Sequence, residues 1–477
     1  MKEPLSKRFQ HATLAVTCLA TAMLMLDIAV VNTALPYLAR DLHSGLTGVQ
    51  WVVDAYTLAL AALVLSAGSI ADRRGRRRVF IVGTAIFTIA SVACAVAQSP
   101  AVLDISRAVQ GLASAFMFAS SLAILADAFP GPRERAGAMA VYGATIGASF
   151  AVGPAVGGAL TSWLSWRAVF FINVPLGIAV LLGTFAWVRE SRSAHARRLD
   201  WPGQITLSGG LLLVVLALLR GNVDGWASLR SLAELGGSAV LLTAFVAIES
   251  RVRTPMLPLG LFRRRDFTAA QIVAFAISSS FFALYLYTTL YLQDVLHLSA
   301  LDAGLVYLPG SILLFVVSGA SAPLSARVRP GLVVSAGLVL IALGLSLMTI
   351  VGPHSSWAVI LPGDVAVCIA TGLINPALGM IALGAASEQS SGLLAGVNDA
   401  FRQGGLAVGV AMFGALVPAG AALGHGSPSA YVGALHDALF LGAGVAAAGA
   451  AIAWMLIGRR PHQPAVPSPA EALPNPA

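Results

Sequence analysis

Charge is what this sequence has least of. Asp, Glu, Lys and Arg make up only 10% of its 477 residues, against about a quarter in an ordinary soluble domain. That excludes a water-soluble globular protein, and most enzyme classes with it. Lysine is nearly absent: of 29 basic residues only Lys2 and Lys7 are lysines, the compositional trace of a GC-rich bacterial genome. The three cysteines, Cys18, Cys94 and Cys368, lie inside apolar runs without CxxC spacing, so neither a disulfide frame nor a metal site is expected. Metal-ligand spacing is also missing among the eight histidines. No GxxxxGK(S/T) phosphate loop and no GxSxG turn occurs, which argues against direct ATP hydrolysis and against a hydrolase nucleophile. The chain is therefore expected to be no enzyme and to carry no cofactor and no metal.

What is present is apolar. Hydrophobic residues make up 57% of the chain and the mean hydropathy is +0.83. They fall into fourteen runs, near 11–36, 50–70, 79–98, 101–129, 136–160, 167–187, 204–219, 232–248, 267–293, 303–323, 331–351, 357–382, 392–416 and 436–457, mostly of the length a helix needs to cross a hydrocarbon core. The first run is too long for a signal peptide and reads as a retained span. The net charge of +8 does not indicate nucleic acid, because the basic residues are scattered through short loops. With fourteen spans, 23 of the 29 basic residues fall on one side of the membrane and four on the other, Arg107 and Arg402 lying within spans. The positive-inside rule then places both termini in the cytoplasm. The Pro-rich segment 459–477 has no apolar face and is expected to be disordered.

The chain carries a weak internal repeat. The loop from Gly68 to Arg78 after the second span aligns with Ala322 to Arg329 after the tenth, Ala326 standing where Asp72 stands. Residues 1–190 and 266–458 thus read as two six-helix bundles, with two additional spans in 191–265. Duplicated halves of this kind build secondary transporters with a central site at mid-membrane depth.

Four motifs, in order, make the resemblance specific. They are Leu26 to Pro36 (LDIAVVNTALP) in the first span, Gly68 to Arg78 (GSIADRRGRRR) in the loop, Arg107 to Gly111 (RAVQG) in the fourth span, and Gly143 to Gly147 followed by Gly153 to Gly158 (GPAVGG) in the fifth. Together they resemble the fourteen-span drug:proton antiporters of the major facilitator superfamily. The resemblance implies an all-α membrane fold of two six-helix bundles plus two central helices. It further implies proton-driven export of lipophilic or cationic compounds across the bacterial inner membrane by alternating access.

The residues support their own reading. Asp27 stands in the middle of an apolar run, where burial disfavours the ionised form, so it is either a proton-coupling acid or a polar group bonding a neighbouring helix. Arg107 keeps its charge and demands acceptors, with Asp104 and Gln110 on its own helical face. At about 1.5 Å per residue Asp27, Asp54 and Arg107 lie roughly 13, 6 and 9 Å below the outer surface, and a coupling cluster of the three is expected, Asp54 being the one that can reach water. The resemblance implies the same coupling role for the fourth-helix arginine. Gly143, Gly147, Ala151, Ala155 and Gly158 recur at helical spacing as a small-residue stripe, bent at Pro154 in the motif that begins at Gly153, suited either to packing or to gating. In the loop, Gly68, Asp72, Arg73, Gly75 and Arg76 serve as topology determinants, with Asp72 as an acceptor that latches the two halves. Substrate candidates are Asn32 and Gln110 in the first half, then Phe281, Tyr285, Asp364, Asn375, Asn398, Asp399 and Arg402 in the second. Asp399 and Arg402 also read as a locally neutralised pair.

The expected function is a multidrug efflux antiporter whose partners are a small substrate, protons and the bilayer, with no nucleic acid; oligomeric state is not legible. Competition of cation and proton for one buried acid would couple the two flows. Two other readings stay open: a transporter dedicated to one endogenous metabolite or to uptake, and a non-transporting sensor or structural subunit.

Overall fold

The computed structural model describes residues 6–193, 199–252, 255–383, 391–418, 421–423 and 426–457; the tail 459–477 lies outside them. Among the described residues there are helices and turns and no strands. The first half holds α1 (Lys7–Asp41), α2 (Leu46–Arg74), α3 (Arg76–Ala95), α4 (Pro100–Ala128), α5 (Arg133–Trp163) and α6 (Ala168–Trp187). Two further helices follow, α7 (Trp201–Gly221) and α8 (Leu229–Glu249). The second half holds α9 (Arg265–Val295), α10 (Ala300–Ser321), α11 (Pro330–Met348), α12 (Trp357–Ile381), α13 (Ser391–Gly414) and α14 (Pro428–Leu456).

Thirteen of these are long and apolar enough to cross a membrane. The other is α13, whose hydropathy is lowered by Asn398, Asp399, Arg402 and Gln403, yet it packs between α2 and α9. Helix starts follow local chemistry. Ser99, Asp200, Ser228, Ser299 and Ser427 each accept a backbone N–H of their helix's first turn, satisfying a donor that the helix itself cannot. Ser427 and Pro428 start α14 eight residues before the apolar run at 436, so the helix opens with a polar turn that hydropathy alone misses. Within α9 two π turns, Ser278–Phe282 and Tyr291–Val295, interrupt the α-helical register, a device found often at functional sites.

Two apolar clusters join the halves: one sets Val64 and Leu65 with Phe267, Leu394 and Val397, and a larger one includes the end remote from the Arg73 to Arg78 loop. There Val30, Leu35 and Val53 of α1 and α2 meet Tyr287, Leu290 and Tyr307 of α9 and α10. The same end carries polar links between halves: Arg40 to Asp294 at 2.7 Å, the Gln293 side-chain amide to the Thr33 carbonyl at 3.0 Å, and the Leu301 N–H to the Ser162 hydroxyl at 3.1 Å. The helix α7 fills the seam between α2 and α13, with Val215 and Leu219 against Leu58, Ala407 and Ala411. Gln204 anchors it by donating to the Ala62 carbonyl at 2.7 Å and accepting from the Ser66 hydroxyl at 2.5 Å. Outside it lies α8, packed through Gly210, whose carbonyl accepts from Ser238.

Candidate functional site

In the first half, α1, α3, α4 and α6 converge on Asp27, which is 0% exposed. Its carboxylate accepts from Arg107 at 2.5 Å and from the Asn173 amide at 2.7 Å, with Gln110 at 3.4 Å. Arg107, 2% exposed, is held on every side. Its Nε donates to the Val52 carbonyl at 2.9 Å, a terminal nitrogen donates to Gln110 at 3.0 Å, and the guanidinium lies 4.4 Å from the centre of the Tyr56 ring. Gln110 in turn donates to Ser91 at 2.7 Å, and Ser114 donates to the Tyr56 hydroxyl at 2.8 Å. An ion pair this deep is tolerable because nearly every lone pair and N–H has a partner.

The expected cluster is thereby corrected in two respects. Asp54 is fully buried, not water-exposed, and neither of its oxygens has a hydrogen-bond partner; it is not bonded to Arg107. Asp104 leaves one buried oxygen unpartnered and does not bond Arg107 either. Depth along separate helices brought these groups level, but side-chain direction around each helix decides which of them meet. Asn173 and Ser91 complete the site instead, and nothing in the sequence singles them out, since lone amides and hydroxyls are common in apolar spans.

A cavity lies between the halves. Its walls include Ile28, Ala29 and Asn32 of α1, Phe150 and Pro154 of α5, and Phe281, Phe282 and Tyr285 of α9, with Asp364 and Cys368 of α12. Tyr285 stacks on Tyr307 with ring centres 4.1 Å apart, and Phe150 meets Phe282 at 5.1 Å. Asp27 is not in the lining: α1 turns one face to the cavity and the other to the Arg107 network. Asn32 donates to the Ile28 carbonyl at 3.1 Å. Asp364 is 2% exposed, with the Cys368 sulfur 4.0 Å away. A smaller adjoining cavity is lined by Arg402, Gln403 and Ser278, and shares Ile28, Phe150, Phe282 and Leu406 with the first.

The remaining expected residues divide. Asn375 is exposed and outside both linings. Asn398 donates to Gln271 at 3.3 Å. Asp399 is buried with one unpartnered oxygen, and no ion pair within 4.0 Å joins it to Arg402, so the neutralised pair is absent. In the loop, Asp72 accepts from Arg76 at 2.8 and 2.9 Å, and Arg76 also donates to the Ala123 carbonyl. Among the described residues that carboxylate is thus engaged within the first half. Gly68 is half-buried and Arg73 exposed. At Gly75 the backbone has φ +110°, and a side chain there would meet the Glu190 carboxylate at 2.7 Å, which accepts from the N–H groups of Arg77 and Arg78 at the start of α3.

Along α5 the small residues differ. A Cβ at Gly153 would meet Ala29 at 2.3 Å, and one at Gly158 the Ala300 carbonyl oxygen at 2.3 Å. Gly143 has open space around it, and Gly147 only an ordinary 3.8 Å contact with Phe315. The Gly-Pro end of the stripe is therefore an obligatory close approach to α1 and α10, and the Gly143 end is not in this conformation.

Residues 17–410 match the Major Facilitator Superfamily. Multidrug resistance protein Stp of Mycobacterium tuberculosis is 36% identical over 421 residues, which is 86% of this chain and 76% of that protein. Puromycin resistance protein pur8 of Streptomyces alboniger is 35% identical over 460 residues, 94% and 91% of the two chains. Among solved structures, the human organic anion transporter MFSD10 superposes with a TM-score of 0.64 at 16% identity, over 93% of this chain and 99% of that one, a likeness of fold.

Proposed function

This chain belongs to the major facilitator superfamily and is a multi-pass membrane transporter of small molecules, not an enzyme, and from that premise we propose that it is a proton-coupled antiporter exporting lipophilic or cationic drugs. The relatives named for multidrug and puromycin resistance support the substrate class. The observation that carries proton coupling is the Asp27 to Arg107 pair, fully buried on the back of a cavity-lining helix.

The coupling runs through α1. An ionised Asp27 holds Arg107 and Asn173 by charge-assisted hydrogen bonds, roughly twice as strong as neutral ones. A proton on that carboxyl weakens its hold, while Arg107 keeps the Val52 carbonyl, Gln110 and the Tyr56 ring. The face of α1 bearing Ile28, Ala29 and Asn32 then shifts against the cavity, so proton and cargo act on one helix from opposite sides. This replaces competition at a single acid with conformational bias, since Asp27 does not face the cargo.

The arginine-rich loops assign the Arg73 to Arg78 end, and both termini, to the cytoplasm of the bacterial inner membrane. The Arg40 to Asp294, Gln293 to Thr33 and Ser162 to Leu301 links then close the outer side, with the cavity serving the inner one. Residues 1–190 and 266–458 move as the two halves around it, with 191–265 as the insert. Gly68, Asp72, Arg73, Gly75 and Arg76 brace the first half's inner rim, and Gly143, Gly147, Gly153, Pro154 and Gly158 form the gating face of α5. The test is Asp27→Asn in an efflux-deficient host beside wild type. We expect equal amounts in the membrane, and loss of both resistance and proton-driven dye efflux; full resistance in the variant refutes the assignment.

A further inference from the structure

The two adjoining cavities hold one acid and one base, and neither makes an ion pair within 4.0 Å among the described residues. The Asp364 carboxylate has the Cys368 sulfur at 4.0 Å and packs against Gly310, where a Cβ would meet it at 2.2 Å, and the Tyr285 hydroxyl in the same lining has no hydrogen-bond partner. Arg402 is half-buried, and among the described residues no carboxylate lies within 4.0 Å of its guanidinium. Its nearest acid along the helix, Asp399, is one turn away and acts on it through space without an ion pair within 4.0 Å, leaving the donors of the guanidinium free for a ligand. At about 1.5 Å per residue Arg402 stands roughly 17 Å in from the inner end of α13, and Asp364 roughly 10 Å in from the outer end of α12. Across a core about 30 Å thick the two charges lie at similar depth, on different helices. Between them the shared wall is aromatic and apolar: Phe150, Phe282, Ile28 and Leu406.

We propose that this compartment is built for a zwitterionic amphiphile. Its protonated amine sits at Asp364, its carboxylate or other anionic group at Arg402, and its aromatic body against Phe150, Phe281 and Phe282. A ligand with one charge would satisfy one group and leave the other buried without a partner, a cost that a dipolar ligand avoids at both ends. The inference rests on the export reading for the identity of the cavity as the cargo site, and it narrows the cargo from lipophilic or cationic to doubly charged.

The test is equilibrium binding to the purified full-length protein, followed by ligand fluorescence, with three matched probes: norfloxacin, which carries an amine and a carboxylate, its ethyl ester, which keeps only the amine, and its N-acetyl derivative, which keeps only the carboxylate. Wild type is expected to bind norfloxacin about tenfold more tightly than either derivative. Asp364→Asn should weaken norfloxacin and the ester and leave the N-acetyl compound unchanged. Arg402→Gln should weaken norfloxacin and the N-acetyl compound and leave the ester unchanged. The unchanged ligand in each case reports an intact fold. Variants that weaken all three probes alike, or none, overturn the proposal, as does wild type that fails to prefer the zwitterion. Wild-type proteoliposomes with this selectivity but no proton-driven uptake would instead refute the export reading and leave the cavity's charge pattern standing.

Discussion

At the scale of single residues, the candidate coupling site divides into what charge announces and what it conceals. Asp27 and Arg107 stand out because an ionisable group in an apolar run is costly, and Gln110 because it shares a helical face with Arg107. The structure bonds these three to one another. Asn173 is neutral, so no energetic anomaly marks it, yet it gives Asp27 a hydrogen bond of 2.7 Å. A hydrogen bond to a charged group contributes about 1.5 to 3 kcal/mol, so Asn173→Ala should slow proton-driven efflux by about tenfold or more with normal membrane insertion, measured as initial rates in vesicles. An unchanged rate would remove Asn173 from the machinery. Arg107→Ala is the harsher change. It leaves a buried carboxylate without its counter-charge at a cost of about 3 to 5 kcal/mol, and a lowered melting temperature in detergent is expected along with lost transport.

At the scale of helices, local pattern predicts where a helix is and says little about what its faces touch. The small residues of α5 read as one stripe, but only its Gly-Pro end is in obligatory contact, because the backbone of α10 reaches Gly158 and α1 reaches Gly153. Gly158→Val must push Ala300 away and should loosen the outer closure, whereas Gly143→Ala meets open space and should be silent in this conformation. A cysteine pair made by Ser162→Cys and Leu301→Cys, where the Leu301 N–H and the Ser162 hydroxyl are 3.1 Å apart, reads this directly. Oxidative cross-linking should be efficient in a background lacking Cys18, Cys94 and Cys368, and should fall about tenfold when Gly158→Val is added. Equal cross-linking with both glycine variants would sink the distinction.

At the scale of the whole molecule, the two halves meet through two apolar clusters, and a few polar links tie them at the end remote from the Arg73 to Arg78 loop. Arg40 is largely exposed and Asp294 is buried, so the pair can part when water enters, as an outer gate requires. Asp294→Ala should raise the outward-open population, and the exchange Arg40→Asp with Asp294→Arg should restore the closed one. Cys368 in the cavity wall supplies the readout through its labelling by a membrane-impermeant maleimide from outside: faster in the single variant, and near wild type in the exchange. Labelling that ignores both changes would exclude this ion pair as part of the gate. The seam between α2 and α13 is covered by α7, which ties the inserted helices to both halves.

The sequence by itself determined the solvent, the helical membrane fold and the family, because each rests on a property summed along the chain: hydropathy, charge asymmetry and ordered motifs. It also nominated Asp27, Arg107 and Asp364 through the cost of charge in a low-dielectric setting. Only the tertiary structure decided that Asp27 turns away from the cavity while Asp364 turns toward it, that Asp54 and Asp399 lack ion-pair partners, and that Asp72 is engaged within its own half. Those outcomes depend on the rotation of each helix about its axis, and that rotation is set by packing against neighbours distant in the chain.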